Sequence, residues 1–334
     1  MAQVIQRVPT ADPSRGRYVA TVEANVPLCR EHFKLILKLG DFPATDPGQF
    51  IQLSCRDVAF NDRDQERVLD WAMDRVPHLV GEELGGPLAV LRRPFSLAGR
   101  RDTASGVELD VIHRVVGVGT DWLSRLKAGD QVDLVGPLGN RFTLPNEEGT
   151  ALLVGGGVGI PPMIYLASIL EGRRAVVFSG ALTADLLPLT ITDDVPRSTD
   201  AEPKFNIGEF SRHGIPAVIT TDDGSYGFRG FVTQALEHYL DAHVTDDAAR
   251  SRATIYTCGP EPMMKRVADI AMRRGIDCQI AVERAMACGM GTCQSCCIKV
   301  KKPNPAIPPL PGRDWCYRLA CTDGPVFRAV DLLW

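Results

Sequence analysis

The sequence contains no run of the roughly 18 apolar residues that a membrane-crossing helix needs, and no membrane partner is expected. It has no excess of positive charge either. With 37 Lys and Arg against 41 Asp and Glu, the formal net charge is -4, and no general attraction to nucleic acid or acidic lipid is expected. The opening MAQVIQRVPTADPSRGR has no apolar core of the kind a secretion signal carries, so a cytoplasmic protein is expected. Internal repeats and low-complexity tracts are lacking. Cysteine is absent between Cys55 and Cys258, yet six of the ten cysteines fall in the last 47 residues. Disulfides of a secreted scaffold would be spread through a short chain; local crowding in a cytosolic one favours metal or cluster ligation.

What is present is a chain of 334 residues, 45% hydrophobic and 23% charged, enough for two or three globular domains. After a polar leader (1–16) come strand-type segments at 17–28, 33–40, 48–55, 107–116 and 130–139, punctuated by Gly, Pro and Asp. They predict a small antiparallel β-barrel. Residues 56–90 interrupt it and read as an insertion, weakly helical around 64–75: a surface excursion, or a lid or partner contact. From 150 the period changes. Strands at 151–159, 174–182, 215–224, 254–260 and 276–283 alternate with helices at 160–170, 231–242 and 261–275, predicting an α/β domain with a parallel sheet. The expected domains are 17–147, 150–283 and a cysteine-rich module over 284–334.

Three stretches suggest ligand chemistry. In GGGVGIPP, Gly155, Gly156, Gly157 and Gly159 lie where a strand meets a helix. Such glycines let the backbone approach phosphate at a helix N-terminus, although a plain tight turn would read the same. Cys258, Gly259 and Pro260 in CGPEPMM occupy a second strand end. The two ends together could hold a nicotinamide dinucleotide, with Cys258 beside the nicotinamide or simply a small buried residue. In RRPFSLAG, Arg93 can fork onto a phosphate, Phe95 can lie along a flat ring and Ser96 can hydrogen-bond it, or Arg93 can be a solvated arginine. GVGT (117–120) offers N–H groups and a hydroxyl for a pyrophosphate. His113 reads as the one histidine in a suggestive place, stacking near a cofactor rather than moving protons. No catalytic acid or base is nominated. The loop SGALTADLL lacks Lys and Arg, which favours NAD over NADP.

Cys288, Cys293 and Cys296 follow C-x4-C-x2-C with a more distant cysteine beyond, the spacing of plant-type [2Fe–2S] sites. Zinc is the rival, through Cys293 and Cys296 with Cys316 and Cys321. Redox-type elements upstream favour iron and sulfide. Cys297 is expected to turn away, and Cys29, Cys55 and Cys278 to be packing residues.

The order RPFS, GVGT, GGGVGIPPM and CGPEPMM resembles the ferredoxin-reductase-like flavoproteins, which pair an FAD-binding Greek-key barrel with an NAD(P)-binding α/β domain. TDDGSYGFRGFVT, MACGMGTCQSC and CTDGPVF narrow the resemblance to the electron-transfer subunits of NAD-dependent dihydroorotate dehydrogenase, over about 17–55 and 91–334. The resemblance implies FAD on Arg93, Pro94, Phe95 and Ser96, on Ile112, His113 and Arg114, and on Gly119 and Thr120. It implies a [2Fe–2S] cluster on Cys288, Cys293, Cys296 and Cys321, with Cys316 the competitor for the fourth place. It also implies a partner, an FMN-containing catalytic subunit, in a heterotetramer of two chains of each kind. Electrons would pass from that FMN through cluster and FAD to NAD+, oxidising dihydroorotate to orotate in pyrimidine synthesis. Two other readings remain open. One is a similar subunit serving a hydrogenase, a sulfide reductase or a ferredoxin; the other is a non-enzymatic, zinc-stabilised binding module. The 56–90 insertion and the segment PNPAIPPLPGRDWCYR depart from a compact member.

Overall fold

The computed structural model describes residues 15–58, 69–70, 78–79, 91–192, 201–301 and 314–334. Strands β1 (Gly16–Cys29), β2 (His32–Leu39) and β3 (Phe50–Leu53) open an antiparallel sheet. Within the insertion, β4 (Leu69–Asp70) and β5 (His78–Leu79) pair antiparallel with each other. Of the helix expected around 64–75, only 69–70 lies within the described residues, and there the chain is paired as a strand instead. The remaining insertion residues, the leader up to 14 and most of the proline-rich stretch lie outside the described residues.

The sheet continues with β6 (Arg93–Ser96), β7 (Gly99–Thr103), β8 (Gly106–Arg114), helix α1 (Val118–Ser124) and β9 (Gln131–Leu138). The order β6-β3-β9-β1-β2-β8-β7 is antiparallel throughout and curls into a half-barrel. RPFS is an edge strand of this sheet, paired with β3. Alternate residues such as Leu35 and Leu37, or Leu109 and Val111, are fully buried in one core. Each contributes about 1.5–3 kcal/mol by leaving water. One buried carboxylate ties three neighbouring strands: Asp110 on β8 meets Lys34 of β2 at 2.7 Å and Arg101 of β7 at 2.8 Å.

The second sheet contains β10 (Thr150–Gly156), β11 (Arg174–Ala181), β12 (Ala217–Thr221), β13 (Phe228–Arg229), β14 (Ala253–Cys258) and β15 (Asp277–Ala281). These run parallel in the order β13-β12-β11-β10-β14-β15. Helices α2 (Ile160–Ile169), α3 (Gly208–Ser211), α4 (Val232–His243), α5 (Asp247–Arg252) and α6 (Glu261–Arg274) connect the strands. Leu152 and Val154 enter one core while Ala151 and Leu153 enter another, so β10 is covered on both faces and its sequence is a continuous apolar run. Helix α6 buries Met264, Val267, Ala268 and Ala271 at helical spacing and ends on Gly275, in the left-handed conformation at φ 68°.

The tail adds β16 (Cys297–Val300), β17 (Cys316–Leu319), β18 (Val326–Arg328) and β19 (Leu332–Leu333). Strands β17-β16-β19 form a small antiparallel sheet. Strand β18 instead joins β15 as an antiparallel edge of the second sheet. The cysteine module is thus sewn into the nucleotide-type domain. It also docks on the barrel: a Cβ at Gly139 would stand 2.5 Å from Pro325, and Asn140 bonds Val326 in both directions at 2.8 Å.

Candidate functional site

Where half-barrel and parallel sheet meet, a cavity of about 1520 Å³ opens. Strand β6 places Arg93, Pro94, Phe95 and Ser96 on one wall. The end of β8 adds Ile112, His113 and Arg114, and the start of α1 adds Gly119 and Thr120. The opposite wall is made by Gly156, Gly157 and Gly159, then Cys258, Gly259 and Pro260. Every sequence-nominated cofactor residue lines this one cavity except Gly155. That glycine lies beneath it and permits close strand–helix approach, since a Cβ there would be 3.1 Å from Ile160 Cα. The two glycine turns interlock: a Cβ at Gly159 would fall 2.1 Å from the Cys258 carbonyl oxygen.

The barrel wall carries polar groups without protein partners. His113 is 2% exposed, and neither ring nitrogen has a hydrogen-bond partner among the described residues. Its ring stacks on Phe33 at 5.9 Å and meets Phe95 edge-on at 6.1 Å. Burial, with His32 nearby, pulls its pKa down to about 4, so the imidazole is neutral near pH 7 and keeps one donor and one acceptor for a ligand. His113 is not the sole histidine here, contrary to the sequence reading. His32 is equally buried and also lines the cavity. Its Nδ1 donates to the Arg30 carbonyl at 2.9 Å, which leaves Nε2 as a buried acceptor without a partner. The β2–β8 register brings it to the site, opposite Arg114, and no local sequence signal marks it.

The two adjacent arginines divide their tasks. Arg92 is held by Asp133 at 2.6 Å, whereas Arg93 has no carboxylate partner among the described residues. Thr120 Oγ1 accepts from the N–H groups of Val116 (2.9 Å) and Gly117 (3.2 Å), so the GVGT hydroxyl closes the first turn of α1. Cys258 is 8% exposed, and burial, with Glu283 nearby, pushes its thiol up to about 12. It is an uncharged sulfhydryl on the cavity wall. Sequence reasoning missed the charged rim of the dinucleotide side, Asp222, Glu237, Arg266 and Arg284, because separate helices and loops deliver it. Arg266 is paired with Glu237 (3.3 Å) and Arg284 with Glu261 (2.6 Å).

Ala285 and Met286 carry the cavity wall into the cysteine loop. Gly289 and Gly291 take φ +71° and +88°, turns that a Cβ would strain. The Cys288 sulfur accepts from the N–H groups of Met290 (3.5 Å) and Cys293 (3.4 Å). Cys293 is exposed, and hydrogen bonds from the Ser295 hydroxyl and N–H, with Cys288 adding to them, hold its thiol down at about 6. Cys321 is fully buried; burial first, then a hydrogen bond with Cys296, pushes it up to about 12. Among the described residues no three His, Cys, Asp or Glu side chains converge as the ligands of one ion. The four nominated thiols instead fall into two pairs, Cys288 with Cys293 and Cys296 with Cys321. A rhombic two-iron cluster takes two thiolates on each iron, and backbone donors to sulfur accompany such sites, so this donor set fits one. Cys316 lies along β17 opposite Val300.

Comparison with known proteins gives a consistent likeness. The profile of the iron-sulfur cluster binding domain of dihydroorotate dehydrogenase B matches residues 283–333. The dihydroorotate dehydrogenase B (NAD+) electron transfer subunit of Fusobacterium nucleatum is 31% identical over 318 residues, covering 93% of this chain and 96% of that one. The Caldanaerobacter subterraneus subunit is 33% identical, covering 73% and 81%, and that of Geobacillus thermodenitrificans 36%, covering 77% and 84%. Among solved structures, an NADH-dependent reduced ferredoxin-NADP oxidoreductase superposes with a TM-score of 0.65 at 26% identity, over 96% of this chain and 91% of that one. A cytochrome P450 reductase of Amycolatopsis, with a TM-score of 0.54 at 22% identity over 78% and 66%, shares the fold.

Proposed function

The chain belongs to the family of dihydroorotate dehydrogenase B (NAD+) electron transfer subunits, and from that premise we propose that it carries electrons from a dihydroorotate-oxidising partner to NAD+ in pyrimidine synthesis. The partner is a catalytic chain bearing FMN, two of each assembling into a heterotetramer. FAD, a [2Fe–2S] cluster and NAD are its cofactors. One observation carries the reading: strand Arg93–Ser96 and both glycine turns share one cavity, whose wall runs through Met286 into the cysteine loop.

A flavin exchanges hydride with nicotinamide and single electrons with an iron–sulfur cluster, so it supplies the junction between them. The chain's own groups bind and orient. Arg93, unpaired to any described carboxylate, is the anion-binding group of the barrel wall. Neutral His113 supplies a buried donor and acceptor, and His32 Nε2 a buried acceptor. Gly157, Gly159 and Gly259 leave room for a dinucleotide at the strand ends. Cys288, Cys293, Cys296 and Cys321 hold the cluster, in the two pairs described.

NADH is favoured over NADPH on charge. The cations facing the dinucleotide side, Arg266 and Arg284, are neutralised by carboxylates, and Asp222 adds a negative one at the cavity, so a 2′-phosphate meets no spare cation there among the described residues. A kcat/KM higher for NADPH than for NADH would overturn this.

The deciding experiment is anaerobic purification with the co-expressed catalytic partner. The expected result is a flavin and iron–sulfur absorption spectrum, with dihydroorotate-dependent NADH formation that requires both chains. Colourless protein containing zinc and no flavin would refute the assignment.

A further inference from the structure

Strand β3 sends its side chains two ways. Ile51 and Leu53 enter the barrel core, so Phe50 and Gln52 take the opposite face. Phe50 joins the core that contains Cys296 and Cys321. Gln52 is 1% exposed, and its amide lies flat on Gly289, the residue after Cys288. A Cβ at Gly289 would stand 2.6 Å from Gln52 Oε1, 2.7 Å from Cδ and 3.0 Å from Nε2. A side chain at Gly289 would displace this amide, and the φ of +71° itself favours glycine there. Gln52 Nε2 is buried without a hydrogen-bond partner among the described residues. An amide N–H left unpaired in the interior is costly, so an acceptor is missing. Phe50 and Pro94, the strand neighbour of Gln52, line the flavin-type cavity, but Gln52 does not. Its amide therefore serves the cysteine loop.

We infer that Gln52 is a positioning residue for the iron–sulfur cluster: its amide N–H donates to a sulfur held by the Cys288 loop. This rests on the cluster assignment above. Donation to sulfur favours the reduced cluster, which is the more negative form, and so raises its midpoint potential. The residue also fastens the cluster loop to β3, which is hydrogen-bonded to the flavin-type strand β6. Two cofactor sites on separate domains would thereby be held at a constant spacing.

The test uses the full chain, purified anaerobically, with potentiometric titration and electron paramagnetic resonance of the reduced cluster. Gln52→Met keeps the volume and removes the donor without adding charge. Its midpoint is expected to move to a more negative potential, with FAD content unchanged. In wild-type protein labelled with 15N in the glutamine amide, pulsed resonance is expected to detect nitrogen coupling to the cluster; Gln52→Met should lose it. If Gln52→Met does not fold, Gln52→Leu also removes the donor without adding charge, and its midpoint must also fall. An unchanged midpoint and an unchanged nitrogen coupling, in a variant that retains its cluster, would overturn the inference. A wild-type chain with no cluster signal would overturn the assignment beneath it, and the inference with it.

Discussion

Cys316 and Cys321 are five positions apart, and their surroundings separate them. Cys321 is fully buried against Cys296, while Cys316 lies along β17 opposite Val300. Cys321→Ser is therefore expected to abolish the paramagnetic signal of the reduced cluster. Cys316→Ser should keep both the signal and about one cluster per chain, as measured by iron and sulfide analysis. Gly159 makes a second single-atom test. An added Cβ would collide with the Cys258 carbonyl, which is backbone and cannot rotate away. Gly159→Ala should destabilise by about 1–3 kcal/mol or more. It should also weaken NADH binding by pushing the two glycine turns apart, read by thermal melting and by an NADH titration.

Strands β2, β8 and β7 share one electrostatic joint. Burial alone would raise Asp110, but hydrogen bonds from Arg101 and Lys34 override it and hold the carboxyl below the usual range. Its contribution is present above the ordinary carboxylate pKa and is lost as pH falls through the lowered folded value. Asp110→Ala is expected to cost about 1.5–3 kcal/mol at neutral pH in a chemical-denaturation experiment, because two cations lose a charged acceptor. The histidines of β2 and β8 act in another window. With a folded pKa near 4 against about 6.5 when exposed, His113 makes the fold progressively less stable as pH drops from about 6.5 to about 4. His32, also lowered by burial, adds a contribution of the same sign. Melting temperatures of the flavin-free chain should fall across this interval, and His113→Phe should flatten the slope.

The barrel, nucleotide-type sheet and tail are joined by contacts that cross the whole molecule. Asn140 donates to Val326 and Asp323 carbonyls at 2.8 and 3.1 Å and accepts from the Val326 N–H at 2.8 Å. Strand β18 completes the parallel sheet from the tail side. Asn140→Ala is expected to leave the secondary structure intact yet loosen the tail. The readout is faster hydrogen exchange in 316–328 and faster loss of cluster in air. Unchanged exchange there would mean that β18 alone holds the tail.

Periodicity and punctuation along the chain were enough to separate a barrel, an α/β domain and a cysteine module, because burial of one face or two leaves periods of 2 and 3.6 and apolar runs. Most of the candidate site was equally legible: glycine turns and C-x4-C-x2-C spacing are local, and a loop can be read from its own residues. What local pattern could not reveal was convergence. RPFS becomes an edge strand only through its pairing with β3, and His32 reaches the site only because β8 brings it beside His113. Within the segment read as weakly helical, Leu69 and Asp70 pair as a strand because the partner, not the segment, supplies the hydrogen bonds. Burial and a neighbour 25 residues away in sequence, Cys296, set Cys321 apart from Cys316, and spacing shows neither. The charged rim and the amide of Gln52 depend on residues far apart in the chain meeting at one place. Covalent order carries spacing and polarity; only packing decides which distant groups share a dry interior and so must satisfy one another.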